Sequence, residues 1–388
     1  MSAENRATKG VTTETRGGST DVLMVIDSFE LGGTETFATR AIEALGAEGV
    51  RVAVACLRAK GPLLERARAS AHSFHELSVP VGPGRILGLT RALRRVVREL
   101  RPRAVYAQDV YSNYLSAMAT VGLVEPWLVT SRRWAQTQAR GRRLLAQWAA
   151  RRSAAVVANS AALCDRLKSE GVAPQRVHLL PNIVDAAMFE RPDAEQQRLW
   201  RERLGIAKDQ LVVMVAGRLH PDKGQDVALE AFGALPEHVR ARSTLVLMGD
   251  GVLRRSLEMR VGELGLHSSV RMPGAFTSPP NVFGFADLAL LPSRTEGMPN
   301  ALLEASAVAC PVVACDVGGV GELSMNLGCS VLLIPPESAE SMTGALRDAV
   351  DTLEDLKPHA DIARHELRSR HAPHEVVRSL LQILRLND

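Results

Sequence analysis

Two pairs of charged side chains in the second half of this 388-residue chain have the spacing of a binding site. The first lies in Ser293-Arg-Thr-Glu296-Gly297-Met298-Pro299-Asn300-Ala-Leu-Leu-Glu304. A Gly-Pro loop carries Glu296 and the first turns of a helix carry Glu304, so both carboxylates and several helix N-terminal amides can face one pocket. Carboxylates accept hydrogen bonds from the hydroxyls of a carbohydrate, and the amides hold phosphate. Two Glu at this distance are common on ordinary surfaces, but the flanking Gly-Met-Pro-Asn and the later Pro311-Val-Val-Ala-Cys-Asp316-Val-Gly318-Gly319 argue against coincidence. The second pair is Arg218 and Lys223, in Gly217-Arg218-Leu219-His220-Pro221-Asp222-Lys223-Gly224. A diphosphate gathers negative charge as the bond to it breaks, and two cations on one loop stabilise that charge without a metal. A solvated turn after a strand is the plainer account of the same residues.

The amino-terminal half offers weaker signals. Gly32-Gly33 joins a strand to a helix, where the missing Cβ lets backbone approach a phosphate, although most Gly-Gly pairs before helices are only turns. Tyr106-Ala-Gln108-Asp109-Val-Tyr111-Ser112-Asn113 follows another strand. Asp109 there either assists an acceptor hydroxyl or caps the next helix. Arg132-Arg133, after a strand ending at Thr130, is placed to meet a phosphate-bearing substrate.

Parallel sheets must position these groups, because short β-branched runs alternate with helix-periodic segments throughout. Strands are expected at 22–26, 52–57, 104–107, 127–130 and 155–158, and again at 212–216, 245–248, 270–272, 288–291, 312–314 and 331–334. The polar stretch 186–209 interrupts the series. The expected organisation is a disordered tail over 1–20 and two α/β, Rossmann-like doubly wound domains, 21–190 and 191–370. A closing helix over 371–388 carries one apolar face with which to pack back on the first domain. Ligands of such sheets lie at the carboxyl ends of the strands, so two facing sheets predict a cleft between the domains.

The stretch from Ala286 to Glu322 resembles the donor-site signature of the family 4 retaining glycosyltransferases, whose fold is GT-B. Gly217 to Gly224 is similar to that family's Gly-Arg-Leu…Lys-Gly loop, and Leu245 to Gly251 to its next strand and Gly-Asp-Gly turn. Gly32-Gly33-Thr34-Glu35, Asn159-Ser160 and Pro181-Asn182…Asp185 follow the family's order, so the resemblance covers nearly all the chain after residue 20. It departs at Ala309, where the family usually has Gly, and at Asn182-Ile183-Val184-Asp185, where it has Asn-Gly-x-Asp.

The resemblance implies a retaining, metal-independent hexosyltransferase whose C-terminal domain binds a nucleotide sugar, with UDP or GDP the expected carrier, and whose N-terminal domain binds a hydroxyl acceptor, lipid-linked or a glycan. Glu296 then holds sugar hydroxyls, Glu304 the ribose, Arg218 and Lys223 the diphosphate, and Gly33 the phosphate from the other domain. Gly32, Gly217, Gly249, Met272, Gly297, Met298, Pro299 and Asn300 complete the donor-binding set, and Glu296, Arg218, Lys223 and Asp109 are the catalytic candidates. No metal or further cofactor is expected. A nucleotide-sugar epimerase shares this fold and is the alternative; an inactive binding relative fits poorly with both Glu296 and Glu304 present.

Composition sets the outer bounds. Apolar residues make up 46% and charged residues 23%, and no apolar run approaches the ~18–20 residues of a membrane span. The first twenty residues lack the apolar stretch of a secretory signal, so residence in the cytoplasm is the expectation. Five scattered cysteines, without metal-ligand spacing, read as reduced core thiols. Net charge is only +4, yet residues 85–152 hold fourteen Arg against three acidic residues. That surplus suits an anionic surface, such as the inner face of a membrane. Arg enrichment by coding bias explains it equally well, since Lys supplies only six of the 47 basic residues. A nucleic-acid binder would use the same surface, but aromatics are only 4% and no stacking platform is visible.

Overall fold

The computed structural model describes residues 6–8, 11–15, 19–30, 32–77, 85–123, 126–133, 140–275 and 281–386. The chain forms two compact units, Met1–Ile183 with Pro373–Asp388, and Val184–Ala372. The boundary falls seven residues before the expected one, and the closing helix, Pro373–Leu384, belongs to the first unit.

Among the described residues unit 1 has nine strands: β1 (Arg6–Thr8), β2 (Val11–Thr15), β3 (Val22–Ile26), β4 (Val52–Cys56), β5 (Ser73–Glu76), β6 (Ala104–Ala107), β7 (Trp127–Arg132), β8 (Ala155–Ala158) and β9 (Val177–Leu179). Their order across the sheet is β1-β2-β5-β4-β3-β6-β7-β8-β9. The seven from β3 onward are parallel, with helices between successive strands. An all-apolar run suits a strand covered on both faces, and β3 shows it. Val22, Met24 and Ile26 enter one core with Phe37 and Val376, while Leu23 and Val25 enter the other with Leu93 and Val96.

The solvated tail expected over residues 1–20 is corrected by the first two strands. Thr12 to Thr15 of β2 pair antiparallel with Glu76 to Ser73 of β5, and β1 pairs with β2. Val and Thr fit a pleated surface well, and β5 is the edge of the parallel array, so its backbone groups offer a partner.

Unit 2 holds β10 (Leu211–Ala216), β11 (Ser243–Met248), β12 (Val270–Gly274), β13 (Leu288–Leu291), β14 (Val312–Cys315) and β15 (Val331–Ile334). All are parallel, in the order β12-β11-β10-β13-β14-β15. Alternation again serves two cores: Val212 and Met214 face one, Val213 and Val215 the other. The order reverses between β10 and β13, so the loops after these two strands lie at the switch point where doubly wound sheets bind ligands. Cys164 is buried, and so are the free thiols of Cys56, Cys310 and Cys315; burial pushes Cys56 and Cys310 up to about 12 and Cys315 to about 11, which makes these three inert. Among the described residues no helix is long and apolar enough to cross a membrane.

Candidate functional site

In unit 2 the loops after β10, β11, β13 and β14 touch one another through backbone. A Cβ on Gly249 would lie 1.9 Å from the Gly217 carbonyl oxygen, and one on Gly318 would lie 1.8 Å from that of Glu296. Only glycine permits approaches this close. Arg294 ties the loop after β13 to the loop after β10: its amide donates to the Asp222 carbonyl at 2.9 Å and its Nη1 to the Pro221 carbonyl at 2.6 Å. The same guanidinium holds the Asp226 carboxylate at 2.9 and 2.7 Å.

This frame brings Lys223 and Glu296 together. Lys223 Nζ lies 2.6 Å from Glu296 Oε1, and Ser293 Oγ donates to that same oxygen at 2.7 Å. The Glu296 side chain is 10% exposed and that of Lys223 32%, so the pair sits at the wall of the unit and not on its open surface. Arg218 is exposed, and among the described residues its guanidinium has no hydrogen bond or ion pair; the buried Gln225 fixes its backbone by donating to the Arg218 carbonyl at 2.9 Å. Glu304 is half-buried on the helix Asn300–Ala307, where Asn281 Nδ2 donates to its carbonyl at 2.7 Å.

Gly297, Met298 and Pro299 form the entry to that helix, and no side chain caps its N-terminus or that of Gln225–Gly233. The positive ends of both helices are thus left for an anion. Met272 lies on the edge strand β12, accepts from Arg254 Nη2 at 3.0 Å through its carbonyl, and packs against the core. The sequence pointed to Glu296 and Lys223 separately; the ion pair between them, and the roles of Ser293, Gln225 and Arg294, carry no sequence signal because they depend on loops meeting in space.

In unit 1, Gly32 precedes the helix Gly33–Ala47, whose N-terminus also lacks a side-chain cap. A Cβ on Gly32 would come within 2.4 Å of Glu35 Oε2. Burial pushes the Glu35 carboxyl above its ordinary value, helped by the negative charge of Asp109. Asp109 takes the capping role, one of the two read for it from the sequence. Its Oδ1 accepts from the Tyr111 and Ser112 amides at 2.9 Å each and its Oδ2 from the Asp27 amide at 2.8 Å, a capping box with Ser112. Both oxygens are engaged by backbone, so Asp109 builds the loop.

The residues around it form a polar cluster at the carboxyl ends of β6 and β7. Tyr106 and Gln108 are fully buried, and Arg133, Gln108 and Ser131 surround the phenol without meeting it at hydrogen-bond geometry. Arg132 is spoken for by Glu170 at 3.3 Å, whereas Arg133 lies on the Phe37 ring, its Cζ 3.7 Å from the centroid. A separate cavity of about 640 Å³ opens at the amino ends of β6 to β8, lined by Arg103, Arg152, Arg176 and Arg385 beside Trp127, and is remote in the sheet from this cluster.

Two Rossmann-like units with their polar loops at the carboxyl ends of the strands define the GT-B class. Residues 31–187 match the family described as Glycosyltransferase Family 4, and residues 196–364 match Glycosyl transferases group 1, so the chain belongs to the family 4 glycosyltransferases. Among solved structures it is similar to HepE of Anabaena in complex with UDP and glucose, with a TM-score of 0.82 at 20% identity over 94% of this chain and 99% of that one. WaaG, a glycosyltransferase involved in lipopolysaccharide biosynthesis, superposes with a TM-score of 0.72 at 20% identity over 93% and 99%. By sequence it is 31% identical to the alpha-D-kanosaminyltransferase of Streptomyces kanamyceticus over 53% of this chain and 55% of the relative. It is 33% identical to the D-inositol 3-phosphate glycosyltransferase of Jonesia denitrificans over 51% and 49%. The chain thus spans about half the length of the curated relatives it matches.

Proposed function

We propose that the protein is a retaining glycosyltransferase that takes a hexose-type sugar from a nucleotide diphosphate bound in unit 2 and passes it to a hydroxyl acceptor bound in unit 1. The observation that carries this reading is the Lys223–Glu296 contact, braced by Ser293, at the switch point between β10 and β13. Arg218 and Lys223 neutralise the leaving diphosphate, so a metal is not required. Glu296, oriented by Lys223, grips the sugar hydroxyls, and Glu304 the ribose. The uncapped start of Asn300–Ala307 supplies amides to phosphate. UDP is the favoured carrier, because HepE has been solved with UDP and with UDP-glucose.

A thermal-shift panel of UDP, GDP, ADP and TDP with their glucose conjugates tests the reading, since a ligand of the folded state raises its stability. One nucleotide series is expected to raise the midpoint. Lys223→Ala should lower turnover by roughly 10²–10³, the effect of removing one preorganised donor to developing negative charge. No response to any nucleotide, or a Lys223→Ala enzyme with unchanged turnover, would sink it.

A further inference from the structure

The polar cluster of unit 1 contains a cation with one edge unused. The guanidinium of Arg133 is held flat on Phe37, and its Nη1 donates to Asn182 Oδ1 at 2.5 Å. Among the described residues its Nε and Nη2 are buried and have no hydrogen-bond partner. Those two atoms form the side-on fork that grips a carboxylate or phosphate through two parallel hydrogen bonds. Elsewhere in this molecule the same edge does so: Arg66 holds Glu43 at 2.6 Å on both arms, Arg260 holds Glu230 at 2.5 and 2.9 Å, and Arg51 holds Asp21 at 3.0 and 2.9 Å.

The neighbourhood holds further polar groups left without partners, acceptors as well as donors. Among the described residues the Tyr106 hydroxyl, both amide atoms of Gln108 and the Ser131 hydroxyl are buried without a hydrogen-bond partner, and Arg133, Gln108 and Ser131 all lie close enough to the phenol to act on its ionisation. Buried polar groups are normally satisfied by protein, water or ligand. Water would serve Gln108 and Ser131, but it does not balance the charge of a guanidinium, which burial cannot neutralise because its pKa is too high. Glu35 acts on Arg133 through space and forms no ion pair with it among the described residues. Arg133 as a whole is half-buried, while the Nε and Nη2 atoms of its free edge are fully buried.

We propose that the Nε–Nη2 edge of Arg133 is an acid-group subsite: the acceptor carries a phosphate or a carboxylate, held by this fork with Tyr106 and Gln108 donating to its remaining oxygens. This rests on the transferase reading for the word acceptor; the anion site itself does not.

The test uses the full chain carrying Arg218→Ala and Lys223→Ala, which silences the cations proposed for the donor diphosphate. Binding of inorganic phosphate, glucose 1-phosphate, glucuronate and glucose is followed by calorimetry. Phosphate or glucuronate is expected to bind and glucose not, and the two sugar acids tell phosphate from carboxylate. Adding Arg133→Gln should weaken that binding at least about tenfold, the value of one charge-assisted hydrogen bond or more, and Arg133→Lys should fall between because it keeps charge without the fork. Gln108→Glu, which places a carboxylate beside the edge, should raise the melting temperature while abolishing anion binding, and it remains informative if Arg133→Gln fails to fold. Equal anion binding with and without Arg133 or Gln108, or no anion binding by the folded parent, overturns the subsite. A failure of the donor reading shows instead as a wild-type protein that binds these anions but no nucleotide.

Discussion

Backbone conformation at single residues decides how tightly the donor loops can meet. Gly318 has φ +57° and would bring a Cβ against the Glu296 carbonyl, whereas Gly265, at φ +66°, has nothing within 4 Å of the same position. Gly265→Ala is expected to cost only about 1–2 kcal/mol, the strain of a left-handed non-glycine residue. Gly318→Ala carries that strain and also displaces the backbone of Glu296, so it should cost clearly more and weaken the nucleotide-induced rise in melting temperature. Ala309 is the reverse case: it holds φ +52° where the family usually places glycine. Its replacement, Ala309→Gly, is expected to be neutral or to stabilise by up to about 1 kcal/mol, because relief of strain is offset by the greater freedom of glycine in the unfolded chain. Denaturation of the three variants checks the order, and a Gly318→Ala protein no weaker than Gly265→Ala would contradict the close loop contact.

At the scale of elements, β5 explains both a pH dependence and a gap in what the sequence revealed. His75 is buried on this strand beside Ser73, with Nε2 and Oγ 3.1 Å apart, and burial lowers its pKa to about 4. The unfolded chain, with an ordinary histidine near 6.5, takes up the proton first. Stability is therefore complete above about pH 6.5 and falls as the pH drops toward 4, by about 3 kcal/mol in all. Denaturant unfolding at pH 7 and pH 5 should show His75→Gln losing less stability than the wild type over that interval; parallel losses would show that the histidine is not the cause. Ser-Phe-His-Glu has no apolar run, so this strand left no mark in the sequence, and Val177–Leu179 was too short to leave one. By contrast β6, β8 and β13 were legible to the residue, since strands covered on both faces must be apolar throughout. The site was legible in the same uneven way. Glu296, Arg218 and Lys223 were visible because motif spacing survives in a linear sequence, while the Ser293 contact and the Arg133–Phe37 stack join residues that only the folded sheet makes neighbours.

At the scale of the whole molecule, each unit owns a sheet with a core on either face, and one of those cores is completed by the far end of the chain. After Ala372 the polypeptide returns to unit 1, where Val376, Val377, Leu380 and Leu384 of the closing helix are buried beside Val22, Ile42 and Val129. Trp127 Nε1 also donates to the Ile383 carbonyl at 3.0 Å, which pins the helix to β7. Truncating a fully buried leucine removes its transfer free energy and leaves a cavity, so Leu380→Ala should cost about 2–5 kcal/mol. Gln382→Ala, on the exposed side of the same helix, should change stability by no more than about 0.5 kcal/mol. Because the lost contacts belong to unit 1 alone, the loss should be local in space though remote in sequence. Amide exchange of the Leu380→Ala protein is expected to quicken in β3, β4 and β6 and to remain slow in β10, β11 and β13. Equal quickening in both sheets would mean that the units unfold as one cooperative body, and quickening confined to unit 2 would mean that the closing helix stabilises the domain it follows in sequence instead of the one it joins in space.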